Sequence, residues 1–187
     1  MNLYLRKSLL FVWVFLICSP EIVLAKENSA LNNKHQKIIQ DFPAVKHVTA
    51  TGLSQMKKDD VVIFDVREPG EYKVSHIEEA IWVSPKITTE EFLSKYSDQV
   101  NGKTVVLYCS VGHRSSVLAE KVQSGLNASG SQAVYNLEGG LFNWHNENKP
   151  LVTSGAKATD FIHPYNFYWG RMVNRKSKKR YKVEVKQ

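Results

Sequence analysis

Four short runs of apolar, largely β-branched residues constrain this chain more than any other feature. They are residues 61–66 (VVIFDV), 80–84 (AIWVS), 104–109 (TVVLYC) and 133–137 (AVYNL). Each is continuously apolar rather than alternating, the pattern of a strand covered on both faces. Residues 46–50 (KHVTA) read as a fifth strand at the sheet edge. Between the runs lie segments with helical signals. Residues 88–100 offer Thr88 or Thr89 as a cap, then acidic residues, then Phe92, Leu93 and Tyr96 on one side. Residues 115–126 repeat apolar positions at Leu118, Val122 and Leu126 and run into Gly125 and the following NASG. Buried strands alternating with helices predict an α/β domain: a central, mainly parallel, five-stranded sheet with helices on both faces.

The 187 residues suffice for one such domain plus end segments, and a hydrophobic share of 43% with 23% charged residues is that of an ordinary globular protein. We divide the chain into residues 1–25, a polar leader over 26–44, the domain over 45–151 and a C-terminal extension over 152–187. Residues 1–25 pair Arg6 and Lys7 with an eleven-residue apolar stretch that ends at Cys18, then close on Val23 and Ala25, the pattern of a cleaved secretory signal. The stretch falls short of the roughly 20 residues that span a bilayer, so no stable membrane anchor is expected. Ile17 is bulky where a lipid-modified Cys18 would need a small neighbour. The expected location is therefore outside the cytoplasm, in the periplasm. Cleavage there would leave Cys109 as the only cysteine, unable to staple its own fold.

The formal net charge of +7 is carried by the tail, where residues 171–187 hold eight Lys and Arg against Glu184. The body is close to neutral, which excludes a dedicated nucleic-acid binder as a partner class. The basic tail is expected to keep the chain soluble and can touch anionic surfaces. The six histidines show no paired ligand spacing, so no metal site is expected.

Residues 107–116 (LYCSVGHRSS) carry the chemistry. Cys109 sits at the carboxyl end of a predicted parallel strand, where ligands of α/β sheets bind. A turn from strand to helix through Ser110, Val111, Gly112, His113, Arg114 and Ser115 points successive N–H groups at one concave site, with the positive end of the helix behind them. Gly112 allows a backbone angle closed to side chains, Arg114 adds a fixed charge, and the Ser115 hydroxyl can cap the helix and donate inward. Such a field favours a thiolate at Cys109. A thiolate in an anion cradle suits phosphoryl transfer through a cysteinyl phosphate or sulfur transfer through a persulfide. Four residues separate Cys109 from Arg114, one fewer than in cysteine phosphatases, and the smaller ring favours a single sulfur atom.

Three ordered motifs extend the case. Residues 64–72 (FDVREPGEY) with 75–80 (SHIEEA), the loop CSVGHRS, and residues 135–151 (YNLEGGLFNWHNENKPL) together resemble the single-domain rhodaneses of the thiosulfate sulfurtransferase family. The resemblance implies a rhodanese-like fold over residues 45–151 and a ping-pong reaction without metal or organic cofactor. Cys109 would take sulfur from a small anionic donor such as thiosulfate and pass it to cyanide or a thiol. Ser110, Val111, Gly112, His113, Arg114 and Ser115 would bind the substrate, together with Arg67, which Asp65 supports. Ser75 and Glu79 stand where the family has glycine, implying an altered turn. The rival readings are a non-catalytic binding module on the same fold and a cysteine phosphatase or arsenate-reductase-like enzyme. Glu71 is expected to ion-pair locally, His76, Phe142 and Trp144 to pack, Gly139 and Gly140 to turn the last helix onto the sheet, and the aromatic run 164–169 (PYNFYW) to fold back over the domain.

Overall fold

The computed structural model describes residues 29–182. The predicted signal segment with Cys18, and residues 183–187, lie outside the described residues. The chain forms five parallel strands, β1 (Lys46–Val48), β2 (Val61–Asp65), β3 (Ile81–Trp82), β4 (Thr104–Tyr108) and β5 (Ala133–Leu137), in the order β1-β5-β4-β2-β3. All five predicted strands are present, and the KHV strand does occupy an edge. β4 is central: Asp65 of β2 lies opposite its Tyr108, and Asn136 of β5 opposite its Leu107.

The helices are α1 (Ser29–Asp41), α2 (Ala50–Gln55), α3 (Pro69–Val74), α4 (Thr89–Tyr96), α5 (His113–Ala128), α6 (Gly140–Asn146) and the single turn α7 (Phe167–Gly170). Thr88 caps α4 by accepting from the Glu91 amide, while Glu91 accepts from the Thr88 amide, so the predicted start is a full capping box. Within β4 the side chains alternate. Val105 and Leu107 join Phe64, Phe92, Tyr96, Leu118, Val122 and Leu126 under α4 and α5, whereas Val106 and Tyr108 face Leu53, Phe142 and Trp144 of α2 and α6. Each large apolar side chain buried this way contributes roughly 1.5–3 kcal/mol. Two packed faces explain why the strands carry no polar stripe.

Both ends of the described chain fold back. Within the polar leader the chain forms one helix, the thirteen-residue α1, whose Leu31 and Ile38 are buried. The extension packs Ile162, Met172 and Val173 into the same core as Tyr108 and Trp144, and a small antiparallel ribbon, β6 (Leu151–Val152) with β7 (Ala158–Thr159), leads into it. Its basic residues up to Arg180 are therefore not a free tail. Arg175 donates to the His145 carbonyl, Lys178 pairs with Asp160 at 3.4 Å, and the Arg180 guanidinium stacks 3.5 Å from the Phe161 ring. No helix among the described residues is long and apolar enough to cross a membrane.

The two positions where the resemblance places glycine differ from each other. Ser75 is extended at φ −168°, a conformation open to any residue, whereas Glu79 holds a left-handed φ of +64°. Lys58 bridges Glu78 and Glu79 at this turn, at 2.7 and 3.6 Å.

Candidate active site

Cys109 directly follows the central strand and is 1% exposed. Three residues later Gly112 takes φ +95° and starts α5, and its N–H donates to Cys109 Sγ at 3.2 Å. Glycine is required here twice over. The angle disfavours a side chain, and a Cβ would lie 3.0 Å from Asn136 Nδ2 and 3.4 Å from the Leu137 carbonyl oxygen. No side chain caps α5, and the first turn of any helix leaves its amides without intrahelical partners. The loop carbonyls are tied on the other side. Those of Cys109 and Ser110 accept from Leu141 N at 2.8 Å and Phe142 N at 3.0 Å, in the first turn of α6. The double glycine makes this contact possible: Gly139 and Gly140 sit at φ +64° and +58°, and a Cβ on Gly140 would overlap the Cys109 carbonyl oxygen. With those carbonyls held by α6, the loop is fixed in the conformation in which the Gly112 N–H reaches the thiol.

Arg114 does not stand alone in the cradle. Its Nη1 and Nη2 donate to the Glu71 carboxylate at 3.0–3.2 Å, and Nη2 also reaches Ser110 Oγ at 3.0 Å. Ser110 in turn donates to Glu71 Oε1 at 2.5 Å. Glu71, 1% exposed, is set by the capping box that opens α3, in which it also accepts from the Glu68 amide. Burial opposes the charge on Arg114, but Cys109 and Glu71 outweigh it and hold the guanidinium above its ordinary range. Arg114 is thus a fixed cation with its counter-charge attached, and the positive field over Cys109 depends more on the loop amides than the spacing suggests.

The other predicted site residues divide. Val111 and His113 reach the cavity described below. His113 packs edge-on against Phe42 at 5.6 Å; burial and then Lys34 lower its pKa, so it is neutral at neutral pH and adds no charge. Ser115 was expected to donate inward, but it is fully buried and donates to Asn136 Oδ1 at 2.6 Å, bracing α5 against β5. Arg67 was expected to bind the donor. It is instead 0% exposed, clamped by Asp65 at 2.6–3.1 Å, and donates to the Ser75 carbonyl. Tyr108 donates to Asp65 at 2.8 Å and accepts from the Ile77 amide. Asp65 and Arg67 form an internal brace between β2, β4 and the turn before β3, outside the cavity. A buried ion pair persists because the unpaired charge would be far more costly.

Above Cys109 lies a cavity of about 240 Å³. Its floor is Cys109, Ser110, Val111, His113 and Arg114, and its walls are Lys34 of α1 with Tyr165 and Trp169 of the extension. No motif or spacing in the sequence places these three wall residues, or Glu71, at the site. The aromatic run 164–169 was the only signal, and it pointed to packing over the domain without saying over which part. A larger cavity of about 680 Å³ lies at the opposite, amino end of the sheet beside Val61 and Lys103, far from the thiol. Among the described residues no cluster of His, Cys, Asp and Glu could hold a metal ion.

An uncharacterized protein of Synechocystis sp. is 34% identical over 122 residues, covering 65% of this chain and 64% of that protein. A tRNA uridine(34) hydroxylase of Rhodococcus erythropolis is 34% identical over 93 residues, 48% of this chain and 31% of the hydroxylase. The chain thus spans between 31% and 64% of the length of these relatives. A solved rhodanese-related protein from Thermoplasma volcanium superposes with a TM-score of 0.46 at 27% identity, over 57% of this chain and 97% of that one. The model of the rhodanese-like domain matches residues 49–147, more than half of the chain and inclusive of Cys109, Arg114 and the double glycine. The chain belongs to the rhodanese-like domain family.

Proposed function

We propose that the protein is a sulfurtransferase that moves sulfane sulfur from an anionic donor such as thiosulfate to a thiophilic acceptor, cyanide or a thiol, through a persulfide on Cys109. The observation that carries this reading is the thiol itself: a buried cysteine whose Sγ accepts from the Gly112 amide at the mouth of a helix, under a small cavity. The Cys109 thiolate attacks the outer sulfur of thiosulfate. A Cys109 Sγ–S bond forms, the donor S–S bond breaks, and sulfite leaves with the electron pair. The charge on the terminal persulfide sulfur is met by the loop amides and the α5 N-terminus. The acceptor then takes that sulfur, and the electron pair of the S–S bond returns to Cys109 as thiolate. No external oxidant or reductant enters the balance.

The Arg114–Glu71 pairing also favours sulfur over phosphate. A phosphatase loop needs its arginine free to grip phosphate oxygens, whereas here both terminal nitrogens are already engaged with a carboxylate. Intact mass spectrometry after thiosulfate treatment tests the proposal. The expected result is a gain of one sulfur atom, lost on adding cyanide with release of thiocyanate, and absent in Cys109→Ser. Hydrolysis of p-nitrophenyl phosphate without any sulfur gain would replace this reading with the phosphatase one.

A further inference from the structure

We propose that the walls of the cavity select a small organic anion, one that carries the terminal sulfane sulfur on an apolar, planar body, over inorganic thiosulfate. This rests on the sulfurtransferase reading. The walls come from outside the matched family segment: Lys34 precedes residue 49, and Tyr165 and Trp169 follow residue 147. They form two cation–aromatic pairs flanking the thiol. The Arg114 guanidinium lies 4.9 Å from the centre of the Tyr165 ring, and Lys34 Nζ lies 5.7 Å from that of Trp169.

Size and surface point the same way. The cavity of about 240 Å³ holds roughly eight waters, whereas thiosulfate, little larger than sulfate, displaces only a few. An inorganic ion leaves wet the ring surface that Tyr165 and Trp169 turn to the cavity. An anion with a planar apolar body fills the remaining volume, covers the rings and keeps its charge beside Arg114 and Lys34.

The roof is also held in place. Tyr165 sits at φ +63°, an unfavourable angle for a tyrosine, and its N–H donates to His163 Nδ1 at 3.0 Å. Asn166 Oδ1 caps the next turn by accepting from the Trp169 amide at 3.0 Å. Gly170 lies so close to Pro164 that a Cβ would approach its ring to 2.9 Å. The following Met172 and Val173 anchor the segment in the core. Backbone strain retained in a braced segment, at a residue that lines the cavity over Cys109, is the pattern of a positioned binding element.

The test separates binding from transfer. Cys109→Ser protein, which cannot form a persulfide, is titrated with benzenesulfonate and with sulfate by calorimetry. Benzenesulfonate is expected to bind about tenfold or more tighter, the effect of one well-covered aromatic contact. Adding Tyr165→Ala or Trp169→Ala is expected to reduce that ratio toward one. Phe167→Ala, whose ring is 84% exposed on the same turn, leaves the ratio unchanged. Thermal melts of each variant separate loss of the roof from loss of the fold, and Tyr165→Ser provides a second replacement at a half-exposed position. Equal affinities for the two anions, or a ratio insensitive to folded variants at 165 and 169, would overturn the proposal. The sulfurtransferase reading fails by a different readout, the absence of a sulfur adduct on the wild-type protein with either thiosulfate or benzenethiosulfonate.

Discussion

Arg67 and Arg114 are both arginines beside an acidic partner, yet their surroundings give them different work. Arg67 is sealed in the interior, and its bidentate partner Asp65 also accepts from Tyr108. Removing the carboxylate charge would strand the guanidinium away from water. Asp65→Asn is therefore expected to destabilise the fold by about 3–5 kcal/mol, read as a lowered urea midpoint. Arg114 keeps about a quarter of its side chain exposed and faces the cavity. Its neighbours Ser110 and Glu71 make it a positioned charge at the site. The residue types were evident in the sequence, but their depth was not, because burial depends on which elements close over a strand end.

At the scale of elements, the site is a junction between β4, the turn into α5 and the start of α6. Two amides in the first turn of α6 hold the carbonyls of Cys109 and Ser110, so the conformation of the Cys109 loop depends on a glycine pair about thirty residues further along the chain. Gly140→Ala is expected to cost about 2–4 kcal/mol, because a left-handed angle and an overlap with the Cys109 carbonyl act together. It should also lower the yield of persulfide measured by mass. Gly70→Ala is the matched control. A Cβ there meets nothing within 4 Å, so the change should alter stability by less than about 1 kcal/mol. The five strands and the helices α4 and α5 are legible in the sequence, since capping boxes and apolar runs are local, whereas α2, α3 and α7 are too short for a helical periodicity to show. Thr88 and the run 104–108 mark their elements without help from the rest of the chain.

For the molecule as a whole, several histidines are carried in the neutral form. His47, beside His35, is lowered to about 4 from an ordinary 6.5, first by burial and then by its histidine neighbour. Burial is also the leading cause of lowering at His76 and His145. Above pH 6.5 folded and unfolded chains alike leave these rings neutral, and the full stability is present. Between 6.5 and 4 the unfolded chain takes up protons that the folded His47 refuses, so stability falls as the pH falls through this window. Urea midpoints measured from pH 7 to pH 4 should decline more steeply for wild type than for His47→Gln. The expected difference is about 1–2 kcal/mol, allowing for the partial exposure of the ring. Parallel slopes would mean that His47 is protonated in the folded state as readily as in the unfolded one.

The sequence by itself determined the five-strand α/β plan, the helices α4, α5 and α6, and the loop that carries Cys109 and Gly112. These follow from apolar runs, caps and turn residues whose effect lies within a few neighbours. The tertiary structure decided that Glu71 grips Arg114 from 43 positions away, that Ser115 braces β5 instead of facing the thiol, and that Arg67 is sealed away from it. It also decided that Lys34, Tyr165 and Trp169, from opposite ends of the chain, close over the same cysteine. Contacts between residues so far apart leave no periodicity in the sequence. They are set only when both faces of the sheet are covered and the ends of the chain find the surface that remains.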